Sequence, residues 1–522
     1  MKSKSVLRTI RIFLAVIVIL PFTFLFIDFG ISELRPLWWL PEIQFTPAVL
    51  SLIAGMGSAL VIVFILLLTV LFGRVYCSVI CPFGIMQDVF KNIFNIGKKK
   101  NKRKKYKYSK PMNVLRYSIL AVTIIILITG YSALVLYIDP YSNFGRIAKN
   151  VLGPVYMGVN NLFASLGISS LYRVSPKSFE LFSLGFSIFV LLGTGLMVFL
   201  RGRLFCNSIC PVGAVLSLFS RFSLFKLKLD SEKCNSCGLC AMKCKAECID
   251  TKNKKLDFSR CVTCYNCIDT CNRQAVGYKF SWKTDKTKTV EPKQPVQDNI
   301  DTDKRRFLAT SATVLGTAVV ANAQRQRNRV RGEHSYEKHS PISPPGSKSI
   351  KNLLSKCTAC HLCVAQCPTQ VLKPAFMEYG LAGMMMPVMN YNADFCNFEC
   401  TLCSEICPNG AIQPLSVEEK KQTQIGKVFF VKQLCVVYTD ETSCGACSEH
   451  CPTKAVDMVP YKGVLTIPQI NQDICIGCGG CEYICPVRPL RAIYIDGNPI
   501  HQIAEKPVED NKEEIELDGF GF

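Results

Sequence analysis

Twenty-four of the 29 cysteines in this 522-residue chain fall into six runs of four. Four runs share the spacing C-x2-C-x2-C-x3-C, and they are Cys234, Cys237, Cys240 and Cys244; Cys261, Cys264, Cys267 and Cys271; Cys357, Cys360, Cys363 and Cys367; and Cys475, Cys478, Cys481 and Cys485. The other two have a wider first gap, and they are Cys396, Cys400, Cys403 and Cys407, and Cys435, Cys444, Cys447 and Cys451. Spacing this regular requires compact loops in which the thiols converge on a shared group.

The spacing is typical of bacterial ferredoxins, in which three close cysteines ligate one [4Fe–4S] cluster and the fourth ligates its partner. The runs therefore predict six [4Fe–4S] clusters and electron-transfer chemistry. Structural zinc sites favour two cysteine pairs separated by a longer loop. Disulfide frameworks are typical of short secreted domains. Neither alternative fits six such runs in a long chain.

One run also contains the attachment signature of c-type haem, C-x-x-C-H, at Cys357, Cys360 and His361. The signature occurs once and continues directly into Cys363 and Cys367, so the ferredoxin interpretation is favoured. All five histidines lie beyond residue 330, outside the apolar segments. A membrane haem held by two histidines is thereby excluded.

Four apolar segments approach the roughly 20 residues that a membrane-spanning helix requires, and they cover residues 11–29, 48–72, 114–137 and 179–200. Lys and Arg concentrate at the N-terminus, in residues 98–110 and around Arg201 and Arg203, within a net charge of +22. The positive-inside rule places these regions in the cytoplasm. Nucleic-acid binding is disfavoured because the charge flanks a membrane segment. The sequence predicts a four-span membrane α-helical bundle, with room for a fifth span, and appended α+β bacterial-ferredoxin-like domains.

The membrane half contains a repeat. GRVYCSVICPFG at residues 73–84 follows the second apolar segment, and GRLFCNSICPVG at residues 202–213 follows the fourth. Parallel repeats in membrane proteins are related by an axis along the bilayer normal. Such an axis would bring together Cys77, Cys81, Cys206 and Cys210. The repeat favours a shared metal or cluster site over two unrelated capped helix ends.

Composition and motif positions divide the chain into seven segments. They are a membrane domain (1–228), a two-cluster ferredoxin domain (229–280), a linker (281–303), a twin-arginine-like signal or fifth span (304–325), a second linker (326–348), a four-cluster domain (349–500) and an acidic tail (501–522). In the two-cluster domain, crossed ligation predicts one cluster on Cys234, Cys237, Cys240 and Cys271 and another on Cys261, Cys264, Cys267 and Cys244. Cys248 is left over and is expected to be a buried thiol.

Residues 304–323 combine the basic stretch Lys304–Arg306, an apolar run and the small residues that end at Ala323. These are the parts of an export signal, and a cytoplasmic linker helix is the alternative. Positive charge ahead of an apolar run favours membrane crossing. The four-cluster domain is then expected in the periplasm of a bacterium whose inner membrane holds the helices.

Two parts of the chain resemble proteins that normally occur separately. The spans, the two C-x3-C-P motifs and the two-cluster domain of residues 1–280 resemble NapH and its NosR-like relatives. The K-R-R-F-L signal and the four runs of residues 304–498 resemble NapG. The resemblance implies a fusion of two quinol dehydrogenase components that pass electrons to a periplasmic reductase, typically nitrate reductase, or a c-type cytochrome.

The chain is therefore interpreted as an electron-transfer component that oxidises a membrane quinol, with menaquinol preferred. Quinol oxidation needs a proton acceptor, and Asp139, at the end of the third apolar segment, is the candidate. Two alternatives remain open. One is a maturation factor that reduces another protein's metal centre, and the other is a cytoplasmic-facing ferredoxin:quinone oxidoreductase.

Overall fold

The computed structural model describes residues 6–27, 32–57, 59–99, 104–130, 135–167, 173, 180–281 and 338–506. The expected signal or fifth span at 304–325 lies outside these residues. So do the first linker after Ser281, the second linker before Lys338 and the tail from residue 507.

The N-terminal half of the chain is helical and surrounds a buried core. The helices are α1 (Val6–Ile27), α2 (Trp39–Glu42), α3 (Phe45–Ile53), α4 (Ala59–Phe72), α5 (Tyr76–Val79), α6 (Pro82–Ile93), α7 (Asn113–Ile128), α8 (Val135–Ile138), α9 (Pro140–Ile147), a π-helical turn (Ala148–Leu152), α10 (Gly153–Ser165), α11 (Leu181–Arg201), α12 (Leu204–Ser208) and α13 (Pro211–Ser220), with a 3-10 helix at Ser32–Leu37. Helices α6, α9 and α13 each begin with proline, which has no N–H to leave unpaired in a first turn.

Two of the described helices, α1 and α11, are long and apolar enough to cross a membrane. The expectation of four continuous spanning helices is not met. The second apolar segment is divided into α3 and α4 by a turn at Gly55, where φ is 76°. The third ends as a helix at Ile128, just before Gly130 at φ 77°. Glycine adopts this left-handed backbone without steric cost, so apolar length overestimated helix length at both places.

The two-cluster domain follows α13 and contains four short strands and two short helices. They are β1 (Phe225–Leu229), α14 (Leu239–Lys243), β2 (Ile249–Asp250), β3 (Lys255–Leu256), α15 (Asn266–Thr270) and β4 (Val276–Phe280). β1 pairs antiparallel with β4, so that Phe225 lies opposite Phe280, and β2 pairs with β3. The outer strands therefore close the domain around both cysteine runs, and α14 and α15 each lie inside one run.

The four-cluster domain is likewise built from short strands and short helices. Its strands are β5 (Leu372–Pro374), β6 (Pro387–Met389), β7 (Thr423–Phe430), β8 (Val456–Pro460), β9 (Thr466–Ile470) and β10 (Ile493–Ile503), paired antiparallel as β5–β6, β7–β10 and β8–β9. Its helices are Ile350–Lys356, Leu362–Ala365, Leu402–Glu405, Val417–Gln422, Val436–Thr439, Ala446–Glu449 and Gly480–Ile484, with 3-10 helices at Leu381–Gly383 and Lys432–Leu434. Cysteines form much of its core.

The four-cluster domain is larger than the 349–500 that the sequence suggested. Ser340 donates its backbone N–H to Asp496 Oδ1 at 3.0 Å, and Ser343 Oγ lies 2.8 Å from His501 Nε2. Strand β10 continues to Ile503. The end of the predicted second linker and the start of the predicted tail therefore belong to the domain. Ser340 and Ser343 are typical of a linker by composition, but in the structure both are buried and hydrogen-bonded.

The two ferredoxin domains contact opposite ends of α1. Near the start of the helix, Arg8 Nη1 lies 2.8 Å from Asp269 Oδ2 of the two-cluster domain. Near its end, the carbonyl of Leu25 accepts a 2.8 Å hydrogen bond from Gln366 Nε2 of the four-cluster domain. Arg8 and Leu25 are about 17 residues apart, which is roughly 26 Å along a helix. The helices therefore separate the two domains.

Candidate iron–sulfur sites

Each regular cysteine run forms a loop with two residues in the left-handed backbone region, one on either side of the second cysteine. They are Ser236 and Gly238, Thr263 and Tyr265, Ala359 and His361, and Gly477 and Gly479. Backbone N–H groups in such loops form concave nests that bind anionic groups, iron–sulfur centres included. In all six runs, wide-gap runs included, a short helix begins between the second and third cysteines.

The thiols of the two-cluster domain come together in groups that mix the two runs. Cys240 interacts electrostatically with Cys234 and Cys237 of its own run and with Cys271 of the other. Cys267 interacts most strongly with the remaining three, Cys264, Cys261 and Cys244, and less strongly with Cys240. This is the crossed grouping that the spacing predicts. The ligand role of each cysteine stays a prediction.

The same crossing joins the runs of the four-cluster domain, the first with the second and the third with the fourth. The groups are Cys357, Cys360, Cys363 and Cys407; Cys396, Cys400, Cys403 and Cys367; Cys435, Cys444, Cys447 and Cys485; and Cys475, Cys478, Cys481 and Cys451. The sequence left this pairing open. A wider first gap therefore does not prevent a run from contributing to a group of four.

The third and fourth runs exchange their last cysteines. Cys451 interacts with Cys481 of the fourth run, and Cys485 interacts with Cys435 of the third. Cys444, by contrast, stays beside Cys435 of its own run. Cys444 and Cys451 belong to one run but to two different groups, as crossed ligation in ferredoxins requires of a fourth cysteine. Tertiary packing of the loops decides which two runs make this exchange.

Three of these predicted ligands also differ from one another in their surroundings. Cys444 is only half-buried, although its neighbour Cys435 is buried. Cys451 is half-buried as well, and its Sγ accepts a hydrogen bond from the N–H of Ala455 at 3.2 Å. Cys485 is buried, and its carbonyl accepts a hydrogen bond from Arg491 Nη1 at 2.9 Å. The sequence predicted one and the same role for all three cysteines and did not indicate that Cys444 and Cys451 are closer to solvent.

The groups suit iron–sulfur clusters in their hydrogen bonding and in the burial of most members. The backbone N–H of Ala359 donates to Cys357 Sγ at 3.3 Å. Burial raises the pKa of the Cys447 thiol to about 12, so that it stays protonated at neutral pH until a metal displaces its proton. One group lines a cavity, and its members are Cys367, Cys396, Cys400 and Cys403. Among the described residues, no group of three or more His, Cys, Asp or Glu is spaced to hold a single metal ion.

The repeat of the N-terminal helical half brings four further cysteines together. They are Cys77, Cys81, Cys206 and Cys210, and each interacts electrostatically with the other three. All four are buried in one continuous core that also contains Cys264 of the two-cluster domain and Cys360 of the four-cluster domain. The repeat therefore forms one shared thiol site, which lies between the two ferredoxin domains.

Two buried arginines cross between the repeats at this site. Arg74 donates through Nη2 to the carbonyl of Cys206, and Arg203 donates through Nη1 to the carbonyl of Cys77, both at 3.0 Å. Arg74 is 0% exposed and Arg203 is 1% exposed. The sequence analysis used Arg203 only as a positive charge that orients the helices, and it did not indicate that this side chain is buried. Each repeat begins with Gly-Arg, and this shared pair was the sequence signal that could have indicated a role for both arginines.

Asp88 on α6 is a carboxylate that contacts this arrangement through Arg203. It pairs with Arg203 at 2.8 Å, with Arg11 at 2.8 Å and with Lys245 of the two-cluster domain. Burial alone would raise the pKa of Asp88, but these three cations hold it well below its ordinary value. No sequence pattern pointed to Asp88, because its partners come from three distant segments.

We expect Asp88→Asn to destabilise the protein by about 3–5 kcal/mol, because it leaves buried cations without their counter-charge. Chemical denaturation of the detergent-solubilised protein measures the change. Glu441→Gln removes the partner of the exposed Lys462 and serves as the control, with little change expected. Equal stability of the two variants would show that the Asp88 cluster contributes no more than a surface ion pair.

Asp139, the candidate proton acceptor, is fully buried at the start of α9. Its Oδ2 accepts hydrogen bonds from the N–H and the Oγ of Ser142, both at 2.7 Å, and its Oδ1 accepts one from Thr46 Oγ1 at 2.6 Å. Asp139 is thus the N-cap of α9. The hydroxyl of Tyr141 in the same helix faces the Cys360 thiol. The role of Asp139 as a proton acceptor stays a prediction.

His361, which completes the haem-like signature, joins the four-cluster domain to the helices. Its Nδ1 lies 3.3 Å from Asn150 Nδ2, and its Nε2 lies 3.0 Å from the carbonyl of Met385. Burial lowers its pKa to about 3, which keeps the ring neutral. The remaining cysteine, Cys248, is buried with its Sγ 3.5 Å from Cys244 Sγ.

Comparison with known proteins identifies the chemistry of these loops. The family described as "4Fe-4S binding domain" matches twice, at residues 54–104 and 182–230, and the "4Fe-4S dicluster domain" family matches residues 442–488. This chain carries [4Fe–4S] ferredoxin-type domains. The first family matches both copies of the helical repeat, in which the cysteines of this chain are Cys77 and Cys81, and Cys206 and Cys210. The second covers Cys444, Cys451 and Cys485, the cysteines around the exchange between the last two runs.

Related proteins also point to ferredoxin-type chemistry. The ferredoxin-type protein NapF of Escherichia coli is 28% identical over 155 residues, 30% of this chain and 85% of NapF. NapG of Escherichia coli is 26% identical over 35% of this chain and 80% of NapG. An uncharacterized protein of Methanocaldococcus jannaschii is 26% identical over 41% of this chain and 68% of that protein. No solved structure matches the chain.

The methylamine utilization ferredoxin-type protein MauM of Methylobacillus flagellatus is 31% identical over 28% of this chain and 63% of MauM. The chain is thus an iron–sulfur electron-transfer protein of ferredoxin type, related to Nap and Mau components. The expected resemblance to NapG is matched by a relative of that name. The fusion of a NapH-like half with a NapG-like half stays a prediction, and so does the number of clusters.

Proposed function

We propose that this protein is a membrane-bound component of a quinol dehydrogenase that takes electrons from menaquinol and delivers them to a periplasmic reductase or c-type cytochrome. One observation carries the proposal: the two ferredoxin domains contact opposite ends of α1. A carrier that joins the two sides of a bilayer requires this arrangement. The helical repeat with its four thiols lies between the domains.

The outer faces of the helices support a membrane location. On α1, Val6 is 68% exposed and Phe13 is 64% exposed, and on α11, Leu181 is 75% exposed and Phe189 is 73% exposed. Apolar surface on this scale is rarely left to water. The bilayer would cover it, and four spanning passes, two of them through broken helices, remain our proposal for the topology.

The four-cluster domain rests directly on the helices where we place quinol oxidation. A Cβ at Gly145 of α9 would collide with the carbonyl of Cys360, so the backbone of a cysteine loop touches the helix. Asp139 and Tyr141 lie beside this contact. Iron–sulfur clusters supply one-electron oxidation and reduction, whereas a quinol gives up two electrons and two protons. Asp139 is the group that we propose to receive a proton there.

Electron transfer between a cytoplasmic donor or acceptor and the four-cluster domain is the second candidate. It is favoured by the single core that contains both Cys264 and Cys360. A purified protein separates the two candidates: quinol reduces the centres under the first, whereas a reduced ferredoxin is needed under the second.

We expect the C-terminus of the intact protein to lie outside the cytoplasm. A cytoplasmic N-terminus and a four-cluster domain at the far end of α1 require this placement. Alkaline phosphatase fused after Phe522, which is active only in the periplasm, should be active in cells. The matched control is the same reporter inserted at residues 98–110, which should be inactive. An inactive C-terminal fusion together with an active one at 98–110 would reverse the proposed orientation.

A further inference from the structure

The repeated element G-R-x-[YF]-C-x3-C-P-x-G builds the same structure twice. Gly73 and Gly202 both have positive φ, 79° and 65°, and each packs against the two-cluster domain. A short helix follows each arginine. The second cysteine of each motif, Cys81 or Cys210, then occupies the N-cap position of α6 or α13. The two copies therefore present their thiols to each other with similar geometry.

The last glycine of each motif makes room for the arginine of the other copy. A Cβ at Gly84 would collide with the carbonyl of Cys77 and would lie 2.9 Å from Arg203 Nη1. A Cβ at Gly213 would collide in the same way with the carbonyl of Cys206 and would lie 2.9 Å from Arg74 Nη2. In each copy the glycine thus leaves space for the arginine of the other copy, and the two arginines reach across the four thiols.

The surroundings of the thiols carry excess positive charge. Arg74 donates to neutral groups among the described residues, namely Asn207 Oδ1 at 2.8 Å, the carbonyls of Ser259 and Cys206, and Cys77 Sγ at 3.9 Å. Arg116 is 2% exposed and donates to the carbonyl of Gly213. Its Nε and Nη1, like Arg74 Nε, have no hydrogen-bond partner in the described part of the chain. Buried cations need a counter-charge.

Helix α13 adds to this preference for negative charge at the thiols. The backbone N–H of Gly213 donates to Cys210 Sγ at 3.3 Å at the start of this ten-residue helix. The positive end of a helix dipole stabilises an anion at that position. Asp88 is the one carboxylate that pairs with Arg203 among the described residues, and it is shared with Arg11 and Lys245. The site is therefore arranged for a group more negative than four neutral thiols.

We propose that Cys77, Cys81, Cys206 and Cys210 together hold one iron–sulfur cluster, and that Arg74 and Arg203 balance its negative charge. Thiolate ligands and bridging sulfides make such clusters anionic, and this negative charge would neutralise the buried arginines. Each repeat matches a [4Fe–4S] binding family while offering two cysteines, so one cluster needs both copies. The centre accepts one electron and gives one up, with no bond or proton exchanged. The role of this cluster as a link between the two ferredoxin domains rests on the proposed function, whereas the presence of the cluster does not.

The experiment compares iron, acid-labile sulfide and zinc in full-length protein purified anaerobically. The variants are Cys81→Ser with Cys210→Ser and, as control, Ser208→Ala, which removes a buried hydroxyl bonded within α12. The six ferredoxin groups account for about 24 irons if each holds a [4Fe–4S] cluster. We expect wild type and Ser208→Ala to exceed the double cysteine variant by about two to four irons, with matching sulfide. Unchanged iron, or loss of zinc instead, overturns the proposal.

The arginines are tested by redox titration followed by EPR. Arg74→Gln should shift one midpoint potential to more negative values, because lost positive charge disfavours the reduced state. Arg74→Lys should restore most of the shift, and the other potentials should not move. If the double cysteine variant misfolds and loses all its iron, the titration of Arg74→Gln still tests the proposal. No shifted potential in Arg74→Gln then overturns the proposal, whether or not quinol still reduces the protein.

Discussion

Removal of iron from the intact protein is expected to unfold residues 338–506. Every sheet described in this domain has two strands, and such pairs are barely stable alone. Its core contains many of the cysteines that form the four groups. Where ligands converge only in the folded state, the free energy of metal binding becomes free energy of folding. Hydrogen exchange with peptide resolution, before and after anaerobic chelation, should show loss of nearly all amide protection in the domain.

Helices α1 and α11 provide the internal control for this experiment. Their backbone hydrogen bonds do not depend on the clusters, so their amides should keep most of their protection in detergent. Reconstitution with iron and sulfide should restore the protection of residues 338–506. A chelated domain that kept its protection would show that protein contacts alone hold the fold.

Asp139→Asn is expected to slow reduction of the protein by quinol by at least about 100-fold, the usual scale of general-base catalysis. Asparagine is as good an N-cap as aspartate, so the hydrogen bond from the Ser142 N–H and the start of α9 should survive. Only the proton-accepting carboxylate is lost. Stopped-flow mixing with a menaquinol analogue, followed at the absorbance of the clusters, measures the rate.

Asp139→Ala separates the cap from the carboxylate. It removes both, so it should slow reduction like Asp139→Asn and also destabilise the protein by about 1 kcal/mol. Reduction by dithionite should be unchanged in both variants. If quinol reduces Asp139→Asn at the wild-type rate but reduces Asp139→Ala slowly, Asp139 acts only as the N-cap of α9.

The cysteine loops are the part of the structure that the sequence predicted best. Spacing alone placed Cys271 in the group of Cys240, because short gaps leave a loop few conformations. The same reasoning did not reach the pairing among the four later runs. Cys407 joins the group of Cys357, and Cys451 and Cys485 change places between the last two runs. These contacts arise from tertiary packing, which local spacing does not encode.

Helix continuity and buried charge could not be predicted in the same way. Hydropathy registers apolar residues on both sides of Gly55 and cannot register the turn between α3 and α4. In sequence, Arg203 looks the same as Arg201 two residues earlier, which is only partly buried. Its burial depends on Asp88 and on the carbonyl of Cys77, which are distant in sequence. Pairwise contacts of this kind become visible only in three dimensions.

The crossed arginines also make the two copies of the repeat mutually dependent. Arg74 completes the surroundings of Cys206, and Arg203 completes those of Cys77. A single copy would carry half of a site and would have to self-associate about a two-fold axis to complete it. Joining the copies in one chain turns that association into an intramolecular event at high effective concentration. It also frees each copy to diverge, as Asp88 on the first repeat has done where the second has Ser217.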